Sequence, residues 1–352
     1  MDHLQPHPEL YNVPWMTDSF NAMPYRTLGN SGLRASNAGL GTWKIGYPET
    51  GDGSRVNEKT ALSIFDRAVE LGVTFWDTAN RYNYGSGNSE RIIGIWINRN
   101  PDQRRNIVLA TKMFGGMDGR SPNHCCLTRG NILESVYASL ERLQVDYIDL
   151  LYFHAFDTDT PLEESLDAIE DLVRMDLIRY FGVSNFTAEN LRLYHDVLNQ
   201  YSSRCSIVAV QNQFDILHGE PVSYSGVLNY AAEHKISFIA WGPLARGLLT
   251  ERYLDLSKVG KGDRLYDEGT LEKDTGEPVI KKVKQLVELA RTWDMKVNEL
   301  AIAYMLTLPG MGPVIPSASS VEHLESSARG GKIILTEEQK QEIKKVLHRE
   351  EL

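Results

Sequence analysis

"IDLLYFH", residues 148–154, is a mostly apolar run that closes on an imidazole. A run without polar alternation marks a strand covered on both faces, as strands in parallel sheets are. Two earlier runs end the same way. "VTFWDTANRY" (73–82) delivers Asp77 and then Tyr82, and "NIVLATK" (106–112) delivers Lys112. In a closed (β/α)8 barrel the C-terminal ends of the strands carry the active site. Taken singly, a strand-end His is a structural residue and a lone Lys is solvated. Three successive strands ending in Asp, Lys and His154, with Tyr82 one turn past the first, point instead to chemistry.

Outward from this stretch the same rhythm repeats. Candidate strands begin near residues 37, 73, 106, 148, 178, 206, 236 and 312, and helical patterns alternate with them. The helical segments are 58–72, 89–99, 128–144, 161–175, the stretch opened by Thr187, 221–234 and 320–328. Asn88 or Ser89, Thr128 or Asn131, and a proline at the first position after Thr160 are their start signals. Repeated βαβ units in this number predict an α/β fold, a closed (β/α)8 TIM barrel. The competing doubly wound arrangement lacks its GxGxxG fingerprint, because "GLGTWKIG" and "GSGNSE" only begin to match it. Ahead of the barrel, Asn30-Ser31-Gly32 between two short segments signals a hairpin, and residues 1–22 read as an irregular extension. Residues 23–352 then form one domain, with a long gap at 244–311 that ends in two helical patterns, "VIKKVKQLVELARTW" and "VNELAIAYMLTL", and an extra amphipathic helix at 335–348. The part of that gap over 257–277 has no apolar periodicity, as in a lid.

Composition narrows the function. A net charge of −10 argues against a nucleic-acid surface or an anionic membrane, both of which need clustered cations. No apolar run approaches the ~18 residues that cross a bilayer, and the N-terminus lacks a secretory pattern. Three cysteines, Cys125 and Cys126 adjacent, make no disulfide framework, so a cytoplasmic protein is expected. His124-Cys125-Cys126 is read as a plain loop or helix entry, with no metal site.

The four residues suit proton transfer to a carbonyl oxygen coupled to hydride delivery. A lysine ammonium within ~4–6 Å of a phenol lowers its pKa. Asp77 opposite Lys112 would hold that lysine charged, and His154 would orient the substrate oxygen.

In order along the chain, "GLGTW", "FWDTANRYNYGSGNSE", "LATK", "SLERLQVDYIDLLYFH", "YFGVSNF", "VQNQF", "AWGPLARGLL" and "VIPSASSVEHL" resemble the aldo-keto reductases, from about residue 24 to residue 335. The phrasing is most similar to the bacterial members and to the group containing potassium-channel beta subunits. The resemblance implies a barrel that binds NADP(H) without a Rossmann fold. It implies Tyr82 as general acid/base, assisted by Asp77, Lys112 and His154, in interconverting an aldehyde, ketone or sugar with its alcohol. Thr42, Trp43 and Asp77 would approach the nicotinamide ribose, and Ser184, Asn185 and Gln211 its carboxamide. Trp241 would stack on the ring, and Gly242, Pro243, Leu244, Ala245 and Arg246 would wrap the pyrophosphate under a closing loop that carries Arg252.

The sequence departs from the family pattern at the adenosine end. Ser317 and His323 stand where relatives place Lys and Arg for the 2′-phosphate, and Ser327 stands for the Asn near the adenine. Ser319 is the remaining polar candidate there, so NAD(H) is also a possible cofactor. Trp43, Tyr84, Phe114 and Phe156 would line an aromatic substrate mouth. The alternative reading is a cofactor-binding regulatory subunit of a channel. The channel-associated relatives replace the strand-end histidine, which is present here as His154. Neither the substrate nor the oligomeric state is legible.

Overall fold

The computed structural model describes residues 17–117, 121–201 and 205–347. Residues 1–16, most of the expected extension, lie outside them. Ordered pairing begins earlier than residue 23. Strand β1 (Ser19–Phe20) turns through Asn21 and Ala22, both with positive φ, onto β2 (Met23–Thr27), which pairs antiparallel with β3 (Arg34–Ser36).

Eight parallel strands follow: β4 (Gly39–Gly41), β5 (Phe75–Asp77), β6 (Val108–Met113), β7 (Ile148–Phe153), β8 (Ile178–Ser184), β9 (Ile207–Gln213), β10 (Ser237–Trp241) and β11 (Met311–Ile315). They are hydrogen-bonded in chain order. Bridges from Ala38 to Val314 and from Gly41 to Ser317 close the ends into the expected barrel. Closure matters because an open edge would leave backbone donors and acceptors unpaired.

The pleat sorts each apolar run between two cores. Phe75, Ala110, Leu150, Tyr152, Ala209, Ile239 and Ile315 form an inner cluster within the barrel, joined by Leu28 and Ala35 of the hairpin, which plugs its lower end. The residues between them face the helices. Trp76, for instance, packs on Phe65 and Trp96 with ring centroids 4.6 and 4.8 Å away. Successive strand residues point to opposite faces. Asp77 therefore shares the inner face with Phe75, Lys112 with Ala110, and Gln211 with Ala209.

The helices fall close to their expected places. α1 (Glu58–Glu70) is capped by Asn57, whose side chain accepts from the Thr60 amide, and α3 (Arg129–Leu143) by Thr128. Between them, α2 (Asn88–Arg99) starts after Gly87, without a side-chain cap from Asn88 or Ser89. Pro161 is the cap of α4 (Leu162–Arg174), one place before the expected first-turn position. α5 (Ala188–Tyr201) and α6 (Val227–Glu233) continue the ring. The long connection after β10 contains two short helices, Arg264–Asp267 and Leu271–Asp274, before α7 (Glu277–Thr292) and α8 (Val297–Met305). α9 (Val321–Lys332) follows β11, and the extra helix α10 (Glu337–Leu347) packs on α7.

Candidate active site

Asp77 pairs in register with Ala110, so Lys112, two residues on, stands one step nearer the open end. Both side chains are almost fully buried, at 2% and 1% exposure. The Lys112 ammonium donates three hydrogen bonds: to Asp77 Oδ2 at 2.6 Å, to the Thr78 carbonyl at 2.9 Å and to the Tyr82 hydroxyl at 2.7 Å. That uses all three of its protons. The Tyr82 hydroxyl in turn donates to Asp77 Oδ2 at 3.2 Å. His154 follows β7, its backbone amide bonded to the Met113 carbonyl at 2.9 Å, and its ring lies edge-on to Tyr82 with centroids 6.1 Å apart. The four residues marked in the sequence, three at strand ends and Tyr82 a turn past the first, are thus brought together.

The electrostatics differ from the expectation in one respect. Burial first, and the Asp77 carboxylate second, hold the Tyr82 pKa well above the ordinary tyrosine value in spite of the Lys112 ammonium 2.7 Å away. The Asp77 carboxylate, 3.2 Å from the phenol, opposes the field of the ammonium. Burial likewise lowers the Lys112 pKa, with Asp77 opposing. The His154 imidazole is held down to about 3 by burial, with the Lys112 and Arg81 charges adding to it. It is neutral at any ordinary pH.

Around this cluster the expected cofactor residues adopt varied roles. Thr42 Oγ1 donates to the Asp77 carbonyl at 2.9 Å and accepts from Ser89 at 2.7 Å. Gln211 Nε2 donates to Asp77 Oδ1 at 2.7 Å, so its amide steadies the carboxylate. Asn185, in the left-handed region, donates to the His154 carbonyl at 2.8 Å and to Ser184 Oγ at 3.2 Å, and Ser184 donates to the Gln211 carbonyl. Trp241 and Gly242 at the end of β10 are half-buried, and Pro243 and Ala245 are buried. Between Gly242 and Gly247 the chain turns sharply, with Gly242, Ala245, Arg246 and Gly247 all at positive φ around Pro243 and Leu244.

The arginines of the loop after β10 already have partners. Arg246 pairs with Glu268 at 2.9 Å and with Asp274. Arg252 grips Asp263 through two bonds of 2.6 and 2.7 Å, and Arg264 pairs with Glu268 at 2.8 Å. The loop is tied across the mouth by Arg55, which bonds Asp267 at 2.9 Å, and by the Arg264 guanidinium, 4.9 Å from the centroid of the Trp43 ring. Where the adenosine end was expected, Ser317, Ser319 and His323 are exposed, and Ser319 Oγ lies 2.9 Å from His323 Nδ1. Ser327 is 2% exposed, turned into the protein rather than toward a ligand.

Two of the four aromatics are placed differently from the expectation. Phe156, half-buried, packs edge-on against Phe186 and Tyr194 at 5.4 and 6.1 Å, toward the outer helix layer. Tyr84 is 86% exposed and covers the face of Gly53. Phe114 and Trp43 stay half-buried beside the strand ends.

Several residues escaped the sequence reading. Tyr152 fills the barrel beneath Lys112, where a Cβ on Gly182 would come within 2.7 Å of its ring. Under the neighbouring residue Thr111 lies a buried ion pair, Glu90–Arg142 at 2.7 Å, whose carboxylate accepts from Thr111 at 2.6 Å. Glu90 on the apolar face of an amphipathic helix was the available signal. Asn80, 1% exposed, has neither side-chain amide atom hydrogen-bonded. Among the described residues no group of His, Cys, Asp and Glu is arranged to hold a metal, and no helix is long and apolar enough to cross a membrane.

The aldo/keto reductase family matches residues 37–348, nearly the whole described chain. The protein belongs to that family of nicotinamide-dependent oxidoreductases and is an oxidoreductase itself. It is 32% identical to an uncharacterized oxidoreductase, YqkF, of Bacillus subtilis (strain 168), over 90% of this chain and 94% of that one. It is 31% identical to aldo-keto reductase AMT2 of Alternaria alternata, covering 90% and 89% of the two chains. With versiconal hemiacetal acetate reductase of Aspergillus parasiticus it shares 29% identity over 90% of this chain and 95% of the relative.

Proposed function

We propose that the protein reduces an aldehyde or ketone to its alcohol with NADP(H), Tyr82 supplying the proton. The observation that carries this reading is the Lys112 ammonium, held at once by Asp77, the Thr78 carbonyl and the Tyr82 hydroxyl in a buried site. The cofactor, when bound, supplies the hydride. Trp241, Asn185 and Ser184 are the residues that fit its nicotinamide end, and the turn Gly242–Arg246 fits its pyrophosphate.

Tyr82 is suited to donate because burial keeps it protonated. Its hydroxyl accepts from Lys112 and turns its own proton from Asp77 to the substrate oxygen. The phenolate that results keeps the Lys112 hydrogen bond, so the ammonium stabilises charge where it develops. Asp77, steadied by Gln211, keeps the lysine in place. His154, neutral, offers an N–H to the same oxygen and orients it.

Tyr82→Phe tests the assignment. Carbonyl reduction should fall by ~10²–10⁴, the scale of general acid catalysis, while NADPH binding survives. A variant that keeps more than about a tenth of the turnover removes Tyr82 from the role.

At the adenosine end, helix α9 offers Ser319, the His323 ring and its own N-terminal amides to a 2′-phosphate. The preference for NADPH over NADH is accordingly small, as the ratio of the two kcat/KM values will measure.

A further inference from the structure

We propose that Cys125 and Cys126 form a redox-modifiable dithiol beside the active-site mouth, converted by a hydroperoxide into a disulfide between the two neighbours. Adjacent side chains in extended backbone point to opposite faces. Here Cys126 adopts φ +65°, a left-handed conformation that a non-glycine residue rarely takes, and the turn brings the two Sγ atoms to 3.4 Å. Both residues are partly accessible, and Cys125 Sγ–H donates to the Pro122 carbonyl at 3.1 Å. The third cysteine, Cys205, is buried.

The pair is wired to the catalytic strands. Asn131 Nδ2 bonds the Cys126 carbonyl at 2.7 Å and the Phe114 carbonyl at 2.9 Å, clamping the turn to the residue that follows β6. Gly116 lies so close to the His124 carbonyl that a Cβ there would come within 1.7 Å. The Gly116 carbonyl accepts from Arg81 Nη1 at 2.9 Å, and Arg81 immediately precedes Tyr82. Backbone movement at Cys126 therefore reaches Phe114 and the Tyr82 turn within a few bonds.

The chemistry balances in two steps. Cys125 sulfur attacks the hydroperoxide; an S–O bond forms, the O–O bond breaks, and an alcohol or water departs, leaving a sulfenic acid. Cys126 sulfur then attacks that sulfur; the S–S bond forms, the S–O bond breaks, and the hydroxyl leaves as water with a thiol proton. The two electrons lost by the thiols reduce the hydroperoxide. Burial and the Cys125 neighbour push the Cys126 thiol up to about 11, so the second step quickens as pH rises. Neighbouring Cα atoms stand only about 3.8 Å apart across a trans peptide, below the usual disulfide range, so the ring is strained and easily reduced again. Closing it moves the Cys126 carbonyl off Asn131.

Trypsin cuts after Arg120 and Arg129, which puts both cysteines in one peptide, "SPNHCCLTR", and Cys205 in another. After hydrogen peroxide treatment of the whole protein, that peptide should lose two hydrogens in mass and regain them with dithiothreitol. The KM for a carbonyl substrate should rise about fivefold, the scale of one exchanged hydrogen bond, with kcat little changed. Cys126→Ser should show neither change, and Asn131→Ala should form the disulfide without the KM shift. Sulfinic acid at either cysteine without the disulfide, or a disulfide between two chains, overturns the dithiol. A disulfide that leaves the wild-type KM unmoved overturns its link to the mouth. The mass measurement is independent of the proposed reductase activity, on which only the KM arm rests.

Discussion

The two charged regions of this molecule are built on opposite terms. At the strand ends a single ammonium and a single carboxylate are sealed from water, and every proton of Lys112 has one short, assigned partner. In the loop after β10, Arg246, Arg252 and Arg264 pair with Asp263, Glu268 and Asp274 near the surface, with arginine side chains 31–50% exposed. Exposed pairs contribute only ~0–1 kcal/mol each, whereas breaking a buried pair costs ~3–5 kcal/mol because a charge is left without a partner. The buried cluster is therefore fixed in geometry and suited to chemistry. The loop pairs are weak enough to be exchanged, and an incoming phosphate is the natural competitor for an arginine held by carboxylates.

Lys112→Met breaks the buried side of this comparison most severely. It should destabilise the fold by about 3 kcal/mol, since Asp77 keeps only Gln211 and Tyr82 as donors. The double variant Asp77→Asn/Lys112→Met should recover most of that loss in a denaturant titration but none of the turnover. In the Lys112→Met protein the phenolate needed for alcohol oxidation should appear only at higher pH, shifting the rising limb of the pH–rate profile upward. A double variant no more stable than the single one would mean that Asp77 carries no stranded charge.

His154 gives the next largest effect. Its folded pKa, about 3, lies below the ordinary 6.5, so the unfolded chain binds the proton first as pH falls. Its contribution is complete above pH 6.5 and is lost between there and pH 3, with a slope of at most ~1.4 kcal/mol per pH unit. His154→Gln should remove that slope from thermal or denaturant curves measured across the interval. An identical slope in the variant would assign the acid sensitivity elsewhere.

The smallest effect belongs to the loop. Asp274→Asn frees part of the Arg246 fork and should tighten NADPH binding by up to about fivefold at low salt, the gain shrinking as salt screens exposed charges. Titration of cofactor binding at two ionic strengths reads both. A Kd that does not move at low salt separates Arg246 from the phosphates.

Much of the site was legible because its chemistry sits at strand ends, where an apolar run stops on Asp77, Lys112 or His154. Strand order, the hairpin at Asn30-Ser31-Gly32 and most helix starts follow from local patterns that need no partner. Tyr84 and Phe156 were not legible: both are aromatics in loops, and sequence alone does not say whether such a ring meets solvent, a glycine or the core.

Eight buried strands, their order along the chain and the residues that end them could be read from local composition, because burial on both faces and turn chemistry leave their mark there. Which residues share the lumen was decided only by the closed barrel. A strand that is apolar throughout has no polar face to betray its register, so the Gln211 amide could be placed on the Asp77 carboxylate only when the pleats of β5 and β9 were set in one closed barrel. The direction of the Tyr82 shift was likewise tertiary. Lys112 and Asp77 reach the phenol from different strands, and the outcome depends on a few tenths of an ångström and on the exclusion of water, neither of which a chain records before it folds.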